Sequence, residues 1–153
     1  MNIRKAKAEE GAYLSDLSFR SKAYWGYSDE FMEACREDLT LSPEDLASSL
    51  VFVLEDEGAV RGFMSLEKEQ DTCLLDNFFI APEAIGKGFG KALWRYMIEI
   101  AEGLGVHTVM IHSDPHAENF YLAMGAQRAG EIESTVFPGR KLPLLEVKIG
   151  RDL

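Results

Sequence analysis

The segment Gly86-Lys87-Gly88-Phe89-Gly90-Lys91 places three glycines at the start of the strongest amphipathic pattern in the chain. An apolar run, Phe78-Phe79-Ile80, comes before it and is closed by Ala81-Pro82-Glu83. The sequence therefore predicts a strand, a short loop, a glycine-rich turn (residues 86–91, the glycine turn) and a helix. Glycine lets the backbone adopt positive φ and approach a ligand closely. The first N–H groups of a helix are unpaired and carry partial positive charge, so this segment predicts a phosphate or pyrophosphate site.

The glycine spacing differs from two common nucleotide motifs. The Rossmann pattern places its third glycine one residue later. The Walker pattern requires a glycine where Ile85 stands, and Ser or Thr where Ala92 follows Lys91. A mononucleotide-binding protein is therefore a weak interpretation. A turn that only starts a helix is the structural alternative.

Size and charge limit the class of protein. The 153 residues suit one domain, 1–153, which is long enough to bury a substantial core. Acidic residues outnumber basic ones by 26 to 16, so the formal charge of −10 argues against a nucleic-acid partner and leaves room for a cationic substrate. The sequence shows no apolar run of membrane-spanning length and no secretory signal. We expect a cytoplasmic protein without a membrane partner.

The spacing of apolar residues predicts a mixed α/β chain. Antiparallel strands come first, and one β–α–β crossover follows in the middle of the chain. Gly103 and Gly105 are predicted to end the long helix. The predicted strands are 2–7, 50–55, 59–67, 73–80, 107–111, 127–134 and 142–149, and the predicted helices are 9–23, 30–39, about 87–102 and one that opens at Asp114, with a brief helical turn at 42–45.

Two blocks of this sequence resemble the GNAT superfamily of acyl-CoA-dependent N-acetyltransferases. The family's first block is a strand ending near x-Val-x-Pro, then Gln/Arg-x-x-Gly-x-Gly/Ala and a helix, and residues 79–93 are similar to it. Its second block, Asn-x-x-Ala-x-x-Phe-Tyr-x-x-x-Gly, is similar to residues 114–126. The two blocks are separated as a βαβ unit requires. Three positions differ: Ile85 replaces Gln or Arg, Asp114 replaces Asn, and Ala126 replaces an aromatic residue.

The resemblance implies a largely antiparallel central sheet of six to seven strands with about four helices, and a cofactor cleft between the two central parallel strands. It also implies acetyl-CoA (coenzyme A) as cofactor. The glycine turn would hold the pyrophosphate through backbone N–H groups, and the pantetheine arm would lie along residues 77–80. The residues expected to bind the cofactor are Phe78, Phe79, Ile80, Gly86, Lys87, Gly88, Phe89, Gly90, Lys91 and Asn119.

The same resemblance assigns Tyr121 as the acid that protonates the departing thiolate. A phenol suits this step because its ordinary pKa, about 10, is higher than that of a thiol. Packing in the core is the alternative role for Tyr121, and a local backbone hydrogen bond is the alternative for Asn119.

The general base has four candidates: Asp76, Glu67, Glu55 and His112. Asp76 is preferred because its strand borders the expected cleft, whereas His112 has the most suitable ordinary pKa. For each of them, a structural or solvated role is the alternative.

Three aromatic residues, Tyr24, Trp25 and Tyr27, lie in a predicted loop that flanks the acceptor pocket in the family. Aromatic rings suit a cationic or apolar acceptor, and the alternative is that they pin the loop to the core. Arg140 is expected to reach an anionic substrate group or the partner in a homodimer. No metal site is expected, because the histidines do not share a helix face and the cysteines, predicted to be free buried thiols, lack paired spacing.

The leading interpretation is an N-acetyltransferase that moves an acetyl group from acetyl-CoA directly to a primary amine in a ternary complex. The acceptor would be a small molecule or a peptide, and the residues do not identify it. The alternative is a catalytically weak or inactive acyl-CoA-binding regulatory module, which the absence of Gln or Arg at Ile85 favours.

Overall fold

The computed structural model describes residues 1–48 and 50–150. The strands are β1 (Asn2–Lys5), β2 (Leu50–Asp56), β3 (Ala59–Glu69), β4 (Thr72–Ile80), β5 (Thr108–His112), β6 (Gln127–Glu133) and β7 (Lys141–Lys148). The α-helices are α1 (Gly11–Ala23), α2 (Asp29–Cys35), α3 (Pro43–Ser48), α4 (Phe89–Leu104) and α5 (Glu118–Ala123), and short 3-10 helices cover Ala8–Glu10, Pro82–Ala84 and Pro115–Ala117.

The strands form a seven-stranded sheet in the order β1-β2-β3-β4-β5-β7-β6. β4 and β5 are parallel, whereas β5 with β7 and β6 with β7 are antiparallel. The predicted mixed, largely antiparallel sheet is therefore confirmed, with a parallel pair at its centre. The helices exceed the predicted number because Pro43–Ser48, expected as a brief helical turn, is a helix.

The chain divides into two compact units, and the first comprises Met1–Ser65 and Asn77–Leu93. In it, β1 pairs antiparallel with β2, from Asn2↔Glu55 to Lys5↔Phe52. The unit's fully buried side chains include Leu14 and Leu17 of α1, Val53 and Leu54 of β2, and Phe63 of β3.

The second unit comprises Leu66–Asp76 and the described residues from Trp94 onward. β5 lies at its centre, parallel to β4 and antiparallel to β7. Its buried apolar side chains include Met97, Val109, Ile111 and Leu145. The prediction that 1–153 forms one domain stays a prediction.

One predicted helix end was wrong and another was correct in part. α4 continues through Gly103, predicted as a stop, and ends at Leu104, where the other predicted stop, Gly105, follows with a φ of +75°. α2 ends at Cys35 rather than near Leu39, and the residues that follow it form turns. The Ser18 hydroxyl donates to the Leu39 carbonyl at 2.8 Å.

Apolar residues at spacings of three and four predict a buried face of α4, and this prediction is partly correct; the residues are Phe89, Leu93, Met97, Ile100 and Leu104. Leu93 and Met97 are fully buried, but Ile100 is only half-buried. Trp94 and Ala101 complete the buried face. None of the helices in the described part of the chain has the length and apolar character needed to cross a membrane.

Candidate active site

The glycine turn presents an open backbone surface at the start of α4. Gly86 and Gly88 have φ values of +87° and +84°. A Cβ added to either would meet no atom within 4 Å. The Ala92 N–H donates to the Gly88 carbonyl at 3.2 Å, so the amides just before Ala92 have no acceptor within the helix. Exposed amides at a helix N-terminus are suited to binding an anion.

The side chains in and beside the glycine turn differ in what they could contribute to anion binding. Lys87 and Lys91 are exposed and offer positive charge. Phe89 is only 9% exposed, so its ring packs in the protein rather than facing a ligand. Ile85, 44% exposed, has no hydrogen-bond donor in its side chain. An anion bound here would be held by backbone amides and lysine charge.

The last residues of β4 lead into this turn and carry a partly exposed apolar surface. Phe78, Phe79 and Ile80 are half-buried. A Cβ on Gly62 would lie 2.8 Å from the Phe79 carbonyl oxygen, so a glycine is needed for β3 to approach this segment closely. The Asn77 side-chain amide donates to the Ser65 hydroxyl at 2.9 Å. These contacts fix the strand on which an extended ligand is expected to lie.

Tyr121, in the second unit, lies in an aromatic cluster. It is 6% exposed, and its ring centroid is 5.9 Å from that of Trp94 and 5.5 Å from that of Phe120. Burial, and then the negative charge of Asp114, raises the pKa of Tyr121 well above its ordinary value. The phenol therefore keeps its proton across the physiological pH range.

Asp114 also organises the start of the segment that carries Tyr121. Its carboxylate accepts from the His116 backbone N–H at 2.8 Å and lies 3.0 Å from the His116 ring nitrogen Nδ1. This is the N-capping role that its position before Pro115 predicts.

The candidate bases lie in different environments. Asp76 and His112 are exposed and directly follow the parallel pair Leu75↔Ile111. Because side chains alternate along strands, both project to the face opposite Leu75 and Ile111. Glu55 instead forms an ion pair with Arg4 at 3.0 Å, and a hydrogen bond from Arg4 lowers the pKa of Glu55, which weakens it as a proton acceptor.

The predicted loop between the first two helices contains two exposed aromatic rings. Tyr24 and Trp25 are 55% and 42% exposed, with ring centroids 5.8 Å apart. Tyr27 stacks on Phe31 at 4.1 Å and lies 5.2 Å from the Lys22 ammonium. Tyr24 and Trp25 therefore present exposed aromatic rings, whereas Tyr27 is part of the support of the loop. We call residues 24–28 the aromatic loop.

The structure distributes the predicted site residues between the two units. The first holds the glycine turn, residues 77–80 and the aromatic loop, and the second holds Asp76, Asn119 and Tyr121. Asn119 is exposed on α5, and Arg140 is half-buried in the connection between β6 and β7. Trp94, which lies beside Tyr121, was not among the predicted site residues, although its spacing of three from Met97 marks it as part of the apolar face.

A glycine-rich turn that starts the helix between two parallel strands of an otherwise largely antiparallel sheet is the arrangement expected of an acyl-CoA-dependent acyltransferase. Comparison with known proteins agrees with this class. The model of the acetyltransferase (GNAT) family matches residues 15–126. The chain belongs to this family.

Two relatives and one solved structure illustrate the likeness. The chain is 30% identical to a peptidyl-lysine N-acetyltransferase, YjaB, of Salmonella typhimurium over 96% of this chain and 97% of the relative. It is 29% identical to a peptidyl-lysine N-acetyltransferase, YiaC, of Escherichia coli over 80% of this chain and 81% of that protein. The PaiA N-acetyltransferase of Thermoplasma acidophilum, solved with coenzyme A, superposes with a TM-score of 0.78 at 21% identity, covering 96% of this chain and 98% of that one.

Membership of the family confirms three predictions made from the sequence. The fold is that of the family, the protein is an N-acyltransferase, and acetyl-CoA is the cofactor that the family uses. The roles assigned to individual residues stay predictions.

Proposed function

We propose that this protein transfers the acetyl group of acetyl-CoA to the side-chain amine of a lysine in a peptide or protein, directly within a ternary complex. The observation that carries the proposal is the glycine turn, where Gly86 and Gly88 leave amides open at the start of α4. The acceptor is inferred from the two peptidyl-lysine N-acetyltransferases that this chain resembles.

The residues present suit the cofactor. The amides of residues 86–91 and the charges of Lys87 and Lys91 would hold its pyrophosphate. The half-buried side chains of Phe78, Phe79 and Ile80 would contact its apolar arm, and the backbone of residues 77–80 would pair with it as an added strand. When bound, acetyl-CoA supplies an activated acetyl thioester.

Two side chains would handle the protons. Asp76 would accept a proton from the lysine ammonium, directly or through water, and so expose the nucleophilic lone pair. Tyr121 would donate its phenolic proton to the departing sulfur, and the raised pKa of Tyr121 ensures that it still carries that proton. Asn119 would contact the cofactor arm.

Charge and aromatic surface favour a lysine acceptor. The formal charge of −10 attracts a cationic substrate, and Tyr24 and Trp25 offer exposed rings to an ammonium group or an apolar neighbour. Tyr27, stacked on Phe31, would support them. A homodimer with Arg140 at its interface stays a prediction.

The test is an acetylation assay on the full chain with acetyl-CoA and a peptide that has one lysine and a blocked N-terminus. We expect mass spectrometry to detect an added acetyl group on the lysine and a thiol reagent to detect equimolar coenzyme A. The matched peptide with arginine in place of lysine should remain unmodified. If calorimetry detects coenzyme A binding but no lysine peptide or small amine is acetylated, the regulatory-module alternative is favoured instead.

Replacement of the proposed base provides a second prediction. Asp76→Asn keeps the size of the side chain but cannot accept a proton, so kcat should fall by about 100-fold, within the range typical of general-base catalysis. Coenzyme A affinity should not change. Two matched variants, Glu67→Gln and His112→Gln, remove the other exposed candidates. A larger fall in kcat for His112→Gln than for Asp76→Asn would contradict the assignment of Asp76.

A further inference from the structure

The amides that would bind the pyrophosphate belong to an unusually adaptable piece of backbone. Glycine loses more conformational freedom on ordering than any other residue, and this turn contains Gly86, Gly88 and Gly90. Ile85 cannot add a side-chain hydrogen bond to a phosphate. Affinity therefore depends on how well the neighbouring structure holds this backbone in place before the ligand arrives.

The 3-10 helix Pro82–Ala84 is the neighbour on the N-terminal side. The Ala81 N–H donates to the Arg61 carbonyl at 2.8 Å, which joins the end of β4 to β3. Ala84 is 2% exposed, so this short helix is seated in the first unit. Glu83 is its one charged residue and points outward, with its side chain 56% exposed.

Arg20 reaches this 3-10 helix from the last turn of α1. Its Nη1 lies 3.1 Å from Glu83 Oε1, and its Nε lies 2.8 Å from Asp16 Oδ2 within its own helix. A hydrogen bond from the backbone N–H of Glu83 lowers the pKa of its carboxyl, and the charge of Arg20 lowers it further. The ion pair therefore links α1 to the segment just before the glycine turn.

We propose that Arg20 and Glu83 are positioning residues for acetyl-CoA, which hold the glycine turn in its binding conformation and join it to the helix that ends at the aromatic loop. This inference rests on the proposed function of the glycine turn. Arg20 stands three residues before Ala23, where α1 ends, and Glu83 stands three residues before Gly86. One contact thus connects the cofactor segment to the proposed acceptor segment.

A direct contact between Arg20 and phosphate is less consistent with the geometry. Two carboxylates, those of Asp16 and Glu83, already accept hydrogen bonds from the guanidinium of Arg20. A phosphate would have to displace one of them, and the carboxylate that remained would repel it. Arg20 therefore contributes by holding the segment before the glycine turn in position and not by contacting the phosphate.

The test compares Glu83→Gln with Asp16→Asn, a matched control that removes the other carboxylate around Arg20 without touching the 3-10 helix. Glu83→Gln should weaken coenzyme A binding in calorimetry, and raise the KM for acetyl-CoA, by about two- to fivefold with kcat unchanged, as expected for an exposed ion pair. Asp16→Asn should bind coenzyme A like the wild type. Thermal melting of each variant checks that it is folded.

A double-mutant cycle completes the test. If Arg20 and Glu83 act through each other, Arg20→Gln combined with Glu83→Gln should bind coenzyme A no more weakly than either single variant. Equal affinity of Glu83→Gln and the wild type would overturn the inference, as would a loss in Arg20→Gln far larger than that in Glu83→Gln. Absence of binding to the wild type is a separate result, which would contradict the proposed function itself.

Discussion

Gly88→Val is expected to reduce the affinity for acetyl-CoA by about 100-fold or more. Gly88 has a φ of +84° and open space where a Cβ would project, at the surface proposed to contact the pyrophosphate. A valine would occupy that space and would favour a negative φ, which turns the neighbouring amides away. Losing two hydrogen bonds to a charged phosphate, each worth about 1.5–3 kcal/mol, predicts a change of this size. Calorimetry with coenzyme A measures it.

Gly58 provides a matched control for backbone strain. It lies in the turn between β2 and β3, with a φ of +78° and no atom within 4 Å of an added Cβ. Gly58→Val should therefore lose stability to a similar extent, while its affinity for coenzyme A should equal that of the wild type. If Gly88→Val leaves the affinity for coenzyme A unchanged, the cofactor binds elsewhere. If Gly88→Val and Gly58→Val lose coenzyme A affinity equally, the loss is due to impaired folding.

Local signals in the sequence predicted the cofactor segment well. The apolar run at 78–80, the closing Pro82 and the three glycines predict a strand, a turn and a helix start, and the structure has all three. These signals are reliable because they act over a few residues: glycine permits positive φ, and proline stops a strand. A local interaction of the same short range caps α2, where the Ser28 hydroxyl accepts from the Phe31 N–H at 3.1 Å.

Contacts between distant segments could not be predicted in the same way. Arg20 and Glu83 are separated by 63 positions, and although Glu83 lies within the first family block, no motif position specifies either residue type. The ion pair of Arg4 with Glu55 likewise depends on the register between β1 and β2, which no local pattern specifies. Gly103 shows that a local stop signal is only a tendency, because α4 continues through it to Leu104 although a glycine inside a helix costs about 1 kcal/mol relative to alanine.

Tyr121→Phe is expected to lower kcat by about 100-fold or more, the usual contribution of a positioned general acid. The phenylalanine ring keeps the packing against Trp94 and Phe120, whose ring centroids lie 5.9 Å and 5.5 Å from that of Tyr121. Only the hydroxyl is removed, so the affinity for coenzyme A should be unchanged. Steady-state kinetics and calorimetry on the same preparation separate the two quantities.

The pH profile adds an independent test of this role. Burial raises the pKa of Tyr121, so the phenol is protonated below its ordinary pKa of about 10, and Tyr121 should cause no alkaline fall in kcat below that pH. Tyr13→Phe is the matched control, because Tyr13 is 48% exposed and its hydroxyl lies 3.4 Å from the Val60 carbonyl. Its kcat should equal that of the wild type. If Tyr121→Phe loses coenzyme A affinity as much as kcat, Tyr121 supports the structure rather than donating a proton.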